Sequence, residues 1–288
     1  MSALIGGTAV VTGAGSGLGE AMADAFAAEG MRIAALDINR EAAESTATRL
    51  VAAGTDALGL AVDVADRASL DAAAGAVADR FGSANVVAAN VGVMQFGPLE
   101  QITADDWQWL LSVNVIGTAN TVNAFLPLLR AADGPRHIVL TSSVAALAPS
   151  PRQGAYITTK FAVTGYGDVL RQELADDGIG VTVLFPNGMM TNHVESSRAA
   201  RPSALGESVL RDEDLEVVIA HAGAGDDTVT TPEDAITDLV RDLLAGEPYV
   251  ITHGTRGPAI HARHEAIEAA DRRMRTSRDR RAANRQGR

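Results

Sequence analysis

Apolar residues along the chain occur in two alternating arrangements: short continuous runs, and longer segments in which they recur every three or four positions. The short runs are typical of buried β-strands and predict strands at residues 8–11, 32–37, 57–63, 86–90, 137–141, 181–185 and 249–252. The periodic segments predict helices at residues 18–29, 41–53, 69–81, 104–130, 153–176 and 232–245. Because strands that alternate with helices indicate βαβ units, we expect an α/β fold with one doubly wound, parallel, seven-stranded sheet.

One long stretch interrupts this alternation after the sixth predicted strand. Residues 191–230 carry mixed charge, scattered glycine and helix-prone sequence, without a further strand pattern. An insertion of this length in a compact domain is typically a lid or a binding element. We therefore expect a single domain over residues 1–270 with a helical substrate lid at 191–230, followed by an arginine-rich C-terminal tail at 271–288.

The charge of the chain is unevenly distributed. The 288 residues carry a formal charge of −12, but residues 271–288 contain eight arginines and two aspartates, so the remainder carries −18. Such an acidic body is a poor match for nucleic acid, and we expect no nucleic-acid partner. We interpret the basic tail as a frayed, solvated terminus; contact with RNA, a membrane surface or an acidic neighbouring subunit is the alternative.

Several chemistries are excluded by composition. The sequence contains no cysteine, which rules out disulfides, thiolate metal ligands and a cysteine nucleophile. It shows neither a signal-peptide pattern nor an apolar run of 18 residues, so we expect a cytoplasmic protein without membrane contact. The histidine spacing does not indicate a metal site. Of the 24 basic residues only Lys160 is a lysine.

A glycine-rich turn directly follows the first predicted strand. Residues 12–19 read Thr-Gly-Ala-Gly-Ser-Gly-Leu-Gly and lead into an amphipathic helix. Glycines tolerate positive φ and let a pyrophosphate approach bare backbone amides, while the helix directs its positive end at the phosphates. Strand, turn and helix together predict a Rossmann fold that binds a dinucleotide.

An acidic residue indicates which dinucleotide is bound. Asp37 ends the second predicted strand, 18 residues after Gly19. A carboxylate in this place accepts hydrogen bonds from the adenosine ribose hydroxyls and repels the 2′-phosphate of NADP, so NAD is the expected cofactor. Arg40, the nearest arginine, is interpreted as a solvated side chain of the next helix.

Tyr156 and Lys160 lie four residues apart on a predicted helix and therefore share one face. Because a nearby ammonium favours the phenolate, we expect Lys160 to lower the pKa of Tyr156 and suit it to acid–base catalysis near neutral pH. On these residues alone, a surface tyrosine–lysine pair is the competing interpretation.

Together the motifs resemble those of the short-chain dehydrogenase/reductase family, in its Thr-Gly-x-x-x-Gly-x-Gly and Tyr-x-x-x-Lys type, from about Thr8 to Thr252. The resemblance implies that Tyr156 exchanges a proton with a secondary alcohol or ketone while the nicotinamide exchanges the hydride. It assigns the hydrogen bond to the carbonyl oxygen to Ser143, 13 residues before the tyrosine, and leaves Ser142 as a structural neighbour. The resemblance implies that Lys160 binds the nicotinamide ribose and that Asn114 holds a water that links Lys160 to solvent. It implies no requirement for a metal.

The same resemblance implies a set of cofactor-binding residues. Asp63 is implied to contact the adenine, Asn90 and Gly92 to shape the cofactor wall, and Met189 to offer backbone to the carboxamide. The full set is Gly13, Ser16, Gly17, Leu18, Gly19, Asp37, Asp63, Val64, Asn90, Gly92, Tyr156, Lys160, Pro186, Met189 and Thr191.

Two positions depart from the family pattern. Val91 stands where the family usually has alanine, and we expect it to reshape the cofactor wall slightly. Asn187 stands where a glycine usually follows Pro186. We expect Asn187 to take the left-handed conformation, which asparagine tolerates, so that the turn is kept.

The substrate pocket is expected between the lid and the ends of the central strands. Its predicted lining is mostly apolar and comprises the lid together with Val93, Met94, Gln95, Phe96, Val144, Ala145 and Pro149. This favours a bulky hydrophobic secondary alcohol or ketone, with an alicyclic, aromatic or steroid-like body. His193 and His221 in the lid are interpreted as flexible surface histidines, with substrate contact as the alternative.

The sequence also leads to an expectation about oligomerisation and leaves two alternative functions open. The resemblance implies a homodimer or homotetramer formed through the predicted helices at 104–130 and 153–176. Other chemistry at the same site, such as that of an epimerase, a dehydratase or a halohydrin lyase, is one alternative. A non-enzymatic NAD sensor that acts through the arginine-rich tail is the second.

Overall fold

The structure is a computed structural model that describes residues 2–189, 193–206, 211–221 and 229–286. Its strands are β1 (Thr8–Thr12), β2 (Arg32–Asp37), β3 (Ala57–Ala61), β4 (Val86–Ala89), β5 (Arg136–Thr141), β6 (Ile179–Phe185), β7 (Gly188–Met189), β8 (Val229–Thr230) and β9 (Tyr249–Ile251). Seven of them form one parallel sheet in the order β3-β2-β1-β4-β5-β6-β9. The predicted Rossmann-type α/β fold is confirmed. The order reverses between β1 and β4, where such sheets open a crevice for ligands.

Helices cover both faces of this sheet. In chain order the described helices are α1 (Gly17–Ala28), α2 (Arg40–Ala52), α3 (Arg67–Phe81), α4 (Ala104–Leu111), α5 (Gly117–Arg130), α6 (Gly154–Glu173), α7 (His193–Ala199), α8 (Asp212–His221), α9 (Pro232–Ala235), α10 (Leu239–Ala245) and, outside the unit that contains the sheet, α11 (Gly257–Gln286). Asn39, Asp66 and Thr103 start α2, α3 and α4 by accepting a backbone N–H with their side chains.

The core lies in two layers, one on each side of the sheet. On one side α3, α5 and α6 pack against the strands, with Phe125 and Leu129 fully buried. On the other side α1 and α10 do so, with Met22 and Phe26 fully buried. Because both faces are covered, the central strands need apolar residues at every position, which explains the continuous runs in the sequence.

Two predicted helices are interrupted. The predicted helix at 104–130 contains a π-helical turn at Ser112–Ile116, between α4 and α5. The extra residue of such a turn leaves the apolar pattern on both sides intact, so periodicity does not reveal it. The predicted helix at 232–245 divides into α9 and α10, because the backbone leaves the helical conformation at Ile236, which has φ of −115° and ψ of 12°.

The described part of the insertion after β6 contains α7, a 3-10 turn at Ser203–Leu205, and α8, in agreement with its helix-prone sequence. The short strands β7 and β8 pair with each other in a separate two-stranded sheet. Two residues carry no periodicity, so these strands were not predictable from the sequence.

The chain consists of two compact units, Met1–Gly254 and Thr255–Arg288. In the second unit α11 is helical through Gln286, so the interpretation of the C-terminus as frayed is wrong, and the expected boundary after residue 270 falls inside this helix. Alanine and arginine have high helix propensity, and the pairs Glu268–Arg272 and Asp271–Arg275, at 3.3 and 2.8 Å, add i,i+4 contacts. None of the described helices has the length and apolarity needed to cross a bilayer.

Candidate active site

The candidate site lies at the carboxyl ends of β1, β4 and β5, where Asn90 joins the three strands. Its backbone N–H donates to the Thr12 hydroxyl (3.0 Å) and its amide Nδ2 to the Thr12 carbonyl (3.1 Å). The Thr141 hydroxyl donates in turn to Asn90 Oδ1 (3.1 Å). These bonds hold the crevice edge rigidly at the point where the strand order reverses.

The glycine turn after β1 is folded as its sequence predicts. Gly13 and Gly17 have φ of 69° and 54°, in the left-handed region that favours glycine. A Cβ atom on Gly19 would collide with the carbonyl oxygen of Gly13. Leu18 is buried, whereas Ser16 is exposed and its side chain does not cap α1. The first amides of α1 are therefore left uncapped by that side chain, as binding of a pyrophosphate requires.

Asp37 lies beside this turn at the end of β2. Its Oδ2 accepts the Gly15 N–H (3.0 Å) and its Oδ1 accepts the Asn39 N–H (2.9 Å). A Cβ on Gly15 would lie 2.8 Å from Oδ2, so a glycine is needed for the close approach. The carboxylate is thus fixed at the edge of the turn, where a ribose of a bound dinucleotide would lie.

The predicted adenine-side residues follow β3. Asp63 is exposed, and its Oδ1 accepts the Ala65 N–H at 2.9 Å. Val64 is buried against α5, and its carbonyl accepts a bond of 3.4 Å from Asn120. Because β3 pairs with β2, these residues and Asp37 lie at the same edge of the sheet.

Tyr156 and Lys160 lie on one face of α6, both buried, with side chains directed at the end of β5. Lys160 Nζ donates to the Thr141 carbonyl (2.9 Å) and lies 5.6 Å from the centre of the Tyr156 ring. Ser143 interacts with the phenol, and its Oγ accepts the Ala145 N–H at 3.1 Å. The structure therefore brings the predicted serine, tyrosine and lysine together, and the competing interpretation of a surface pair is wrong.

The electrostatics of the pair differ from the expectation. Burial raises the pKa of Tyr156 to about 12, and the hydrogen bond from Ser143 acts in the opposite direction. Burial also lowers the pKa of Lys160 to about 8. The pKa of the tyrosine is therefore raised and not lowered as expected, because desolvation of the phenolate outweighs the Ser143 hydrogen bond.

Asn114 lies in the π-helical turn and is fully buried. Its Nδ2 donates to the Val93 carbonyl (2.8 Å) and to the Thr159 hydroxyl (2.9 Å), and its Oδ1 accepts the Val93 N–H (2.8 Å). Both amide hydrogens are thus in use, and the side chain ties the segment after β4 to α6. Ser142 is likewise engaged, since its hydroxyl donates to the Lys160 carbonyl at 2.9 Å.

The segment after β6 deviates from expectation at Asn187. Among the described non-glycine residues only Arg152 has a positive φ, so the expected left-handed conformation of Asn187 is wrong. Asn187 is held instead from the end of β9: its N–H donates to the Thr252 hydroxyl (3.3 Å) and its Nδ2 to the His253 carbonyl (3.4 Å). His253 Nε2 also bonds the Gly188 carbonyl at 2.7 Å.

Two further predicted cofactor-binding residues of this segment, Pro186 and Met189, form backbone contacts with other segments. The Pro186 carbonyl accepts the Val144 N–H at 3.0 Å, and Met189 pairs with Thr230 across β7 and β8. Thr191 lies outside the described residues. Sequence reasoning did not find His253, because its partner Gly188 is 65 positions away and no motif connects them.

The lid brings a histidine to the site. The His193 ring packs edge-to-face on Tyr156, with ring centres 6.4 Å apart and planes at 61°. Burial and the charge of Lys160 lower the pKa of His193 to about 4. The interpretation of His193 as a flexible surface histidine is therefore wrong, whereas His221 is exposed as expected.

Within the described residues, no cluster of three or more metal-ligating side chains occurs.

Buried polar contacts attach the lid to the loop after β4 and to α4. Ser197 accepts the Met94 N–H at 3.1 Å. Arg201 forms a 2.6 Å ion pair with Asp106, in which both side chains are only 7% exposed, and its guanidinium lies over the Trp109 ring. Burial acts against ionisation of Asp106, but its bonds from Thr103 and Arg201 prevail and lower its pKa. None of these contacts was predicted.

Comparisons with known proteins agree with this geometry. The family profile described as short chain dehydrogenase matches residues 7–202. A C alpha-dehydrogenase from a Sphingobium species is 34% identical over 215 residues, covering 74% of this chain and 70% of the relative. A D-threitol dehydrogenase from Mycolicibacterium smegmatis is 39% identical over 188 residues, covering 65% of this chain and 72% of the relative. A crystal structure of a short chain dehydrogenase/reductase from Burkholderia phymatum in complex with NAD superimposes with a TM-score of 0.82 at 32% identity, covering 94% of this chain and 97% of that one.

Proposed function

The chain belongs to the short chain dehydrogenase family and is an oxidoreductase that acts on CH–OH groups, and from that premise we propose that it interconverts a bulky hydrophobic secondary alcohol and its ketone with NAD. The observation that carries this proposal is the buried cluster at the end of β5, in which Tyr156 interacts with Ser143 and stacks near the Lys160 ammonium. Interconversion of an alcohol and a ketone requires a group that accepts the hydroxyl proton or returns it, together with a hydrogen-bond donor for the substrate oxygen, and this cluster contains both beside a cation.

Each residue has a distinct role in this proposal. In the oxidative direction Tyr156 Oη, as phenolate, accepts the hydroxyl proton of the alcohol; in the reductive direction it returns that proton to the ketone oxygen. Ser143 donates its hydroxyl hydrogen to the same substrate oxygen and stabilises the charge that develops there. Lys160, whose ammonium lies 5.6 Å from the centre of the Tyr156 ring, is assigned to the nicotinamide ribose. When bound, the nicotinamide supplies the hydride acceptor or donor.

Asn114 and Lys160 together suggest how the proton reaches solvent. Because the amide hydrogens of Asn114 are bonded to Val93 and Thr159, a water linked to Lys160 would have to be held through an oxygen of Asn114. The low pKa of Lys160, about 8, suits it to pass a proton on near neutral pH.

The residues around the turn fit a dinucleotide. We assign the pyrophosphate to the amides of residues 13–19, at the start of α1, which the Ser16 side chain leaves uncapped. We assign the adenosine ribose to Asp37 and the adenine side to Asp63 and Val64. Asn90, Gly92, Pro186 and Met189 complete the proposed wall on the nicotinamide side.

The choice of NAD over NADP rests on Asp37. Its carboxylate is held by the N–H groups of Gly15 and Asn39, so it cannot turn away from the ribose without breaking two hydrogen bonds. A 2′-phosphate in that place would meet the same negative charge at short range. We therefore propose NAD as the preferred cofactor.

The substrate class follows from the lining of the pocket. Val93, Phe96 and Val144, which we place at the substrate, are buried apolar side chains. They favour an apolar body next to the reacting carbinol. We also propose that the protein forms a homodimer or homotetramer through α4–α5 and α6, where Leu111, Ile116 and Val169 are exposed apolar residues.

A panel of secondary alcohols incubated with NAD, with reduced cofactor followed by absorbance, tests the proposal. We expect turnover of benzylic and alicyclic secondary alcohols, and of the matching ketones with NADH. Turnover of sugars and hydroxy acids together with inertness towards apolar alcohols would refute the substrate class. Absence of any nucleotide-dependent turnover would refute the function.

A further inference from the structure

We infer that His193 determines substrate specificity by hydrogen-bonding a neutral oxygen, a hydroxyl or an ether, carried on the carbon next to the reacting carbinol carbon. The inference rests on the proposed alcohol chemistry and adds a polar feature that the otherwise apolar substrate must have. It gives the lid a recognition role as well as a covering one.

The position of the ring carries the inference. The rings of His193 and Tyr156 pack edge-to-face, with 6.4 Å between their centres. A substrate whose carbinol oxygen contacts the tyrosine hydroxyl has its adjacent atoms within a few bond lengths of the same residue. A side chain that contacts Tyr156 from the lid is therefore within reach of a substituent on the neighbouring carbon.

The ring nitrogens of His193 are available for such a bond. His193 is half-buried, and in the part of the chain that the structure describes neither ring nitrogen has a hydrogen-bond partner. Its backbone is fixed: the Ser197 hydroxyl donates to the His193 carbonyl (2.7 Å) and accepts the Met94 N–H (3.1 Å), and Ser197 is itself buried. A polar ring held beside the reaction centre without a protein partner can bond an oxygen of the substrate.

The charge state of His193 defines what it recognises. Its pKa of about 4 keeps the imidazole neutral at physiological pH, because burial and the Lys160 charge both oppose protonation. A neutral imidazole offers one donor and one acceptor, which matches a hydroxyl and gives no attraction to a carboxylate or phosphate. The favoured substrates are therefore vicinal diols or hydroxy ethers with an apolar body, not hydroxy acids.

Two substitutions separate recognition from packing. His193→Phe keeps an aromatic ring against Tyr156 but removes both nitrogens, whereas His193→Gln keeps a donor and an acceptor. Two substrates form the matched pair: 1-phenylethane-1,2-diol, which has the second hydroxyl, and 1-phenylethanol, which lacks it, each assayed as both enantiomers with NAD. His221→Phe, at an exposed lid position, is the control.

We expect the wild-type protein to have the higher kcat/KM for the diol. His193→Phe should lower the diol-to-alcohol ratio about tenfold, the loss of one neutral hydrogen bond, mainly through KM of the diol. His193→Gln should restore part of the ratio, and His221→Phe should leave it unchanged. Equal losses on both substrates, or no preference for the diol in the wild type, would overturn the inference while the alcohol chemistry stands. Failure of the wild type on both substrates and on their ketones would instead overturn the proposed function and this inference with it.

Discussion

Lys160 lies directly against Gly92: a Cβ atom added to that glycine would be 2.8 Å from the lysine Nζ. The ammonium is enclosed between this glycine and the Thr141 carbonyl that it bonds. A compact cation fits there and a planar guanidinium does not, although arginine supplies every other basic side chain of the protein.

Replacing Lys160 with arginine should therefore inactivate the protein although the charge is kept. We expect Lys160→Arg to lower kcat/KM about 100-fold or more, because the larger group displaces the tyrosine and glycine around it. Overpacking should also lower the free energy of unfolding by about 1–3 kcal/mol. Steady-state kinetics and urea unfolding measure the two effects. Arg241→Lys, at an exposed position, is the control, and an active Lys160→Arg would show that position 160 needs only a positive charge.

Asp37→Ala tests the choice of cofactor. Loss of the carboxylate should weaken NAD binding about tenfold or more, because ribose hydrogen bonds are lost, and should weaken NADP binding much less. Titrations of both nucleotides against each protein give the Kd values, with Asp71→Ala on the exposed face of α3 as control. A wild-type protein that binds NADP more tightly than NAD would refute the role given to Asp37.

Much of the fold was predictable because it depends on local pattern. The strand at Arg32–Asp37 has the bounds that its apolar run predicts, since both faces of the sheet are covered. The glycine turn was identified because it lies between a predicted strand and a predicted helix, and the tyrosine–lysine pair because the motifs together resemble those of a known family. Site residues that lie close together in the sequence can be identified from the sequence in this way.

What was missed depends on contacts between distant segments. The pKa of Tyr156 was expected to fall, but it is set by burial, which no motif encodes. His193 comes to Tyr156 only when the lid folds back, and Asn187 keeps an ordinary backbone because Thr252 and His253 reach it from β9. Each wrong expectation was based on neighbouring residues in the sequence, whereas the outcome depends on packing between separate elements.

The stability of the protein should fall in mild acid because of His137. The Thr182 hydroxyl donates to the Glu247 carbonyl (2.6 Å) and so accepts the bond from His137 Nε2 (2.9 Å), which places a hydrogen on Nε2. Burial, with a contribution from Arg171, lowers the pKa of His137 from 6.5 to about 4. Between these values the unfolded chain binds the proton and the folded one does not, so the free energy of unfolding decreases as pH falls from 6.5 to 4, by up to about 3 kcal/mol.

Urea unfolding at several pH values measures this dependence. His137→Gln, which keeps a donor for Thr182 but does not titrate, should flatten the curve between pH 6.5 and 4, leaving a slope from His193, whose pKa is lowered in the same way. His264→Gln, at an exposed position of α11, should leave the curve unchanged. An identical pH dependence in His137→Gln and wild type would contradict the assignment.

The buried pair Arg201–Asp106 should be required for a closed lid. Arg201→Met leaves the Asp106 carboxylate buried without its cation, which typically costs about 3–5 kcal/mol. We expect faster proteolysis within residues 193–206 and a higher KM for the alcohol. The exposed pair of Arg241 with Asp238 and Asp242 provides the control, since Arg241→Met should change stability by less than about 1 kcal/mol. Equal effects of both substitutions would show that the buried pair does not hold the lid.

Tyr156→Phe tests the proton-transfer role of the buried tyrosine most directly, because it removes one oxygen and leaves an aromatic ring near Lys160 and His193. Turnover of a secondary alcohol and the Kd for NAD are measured on the same preparation. We expect kcat to fall about 1000-fold or more, as for loss of a general acid–base group, with the Kd for NAD changed by less than about twofold. Alcohol turnover retained within about tenfold of wild type would contradict the assignment of Tyr156 as the group that moves the proton.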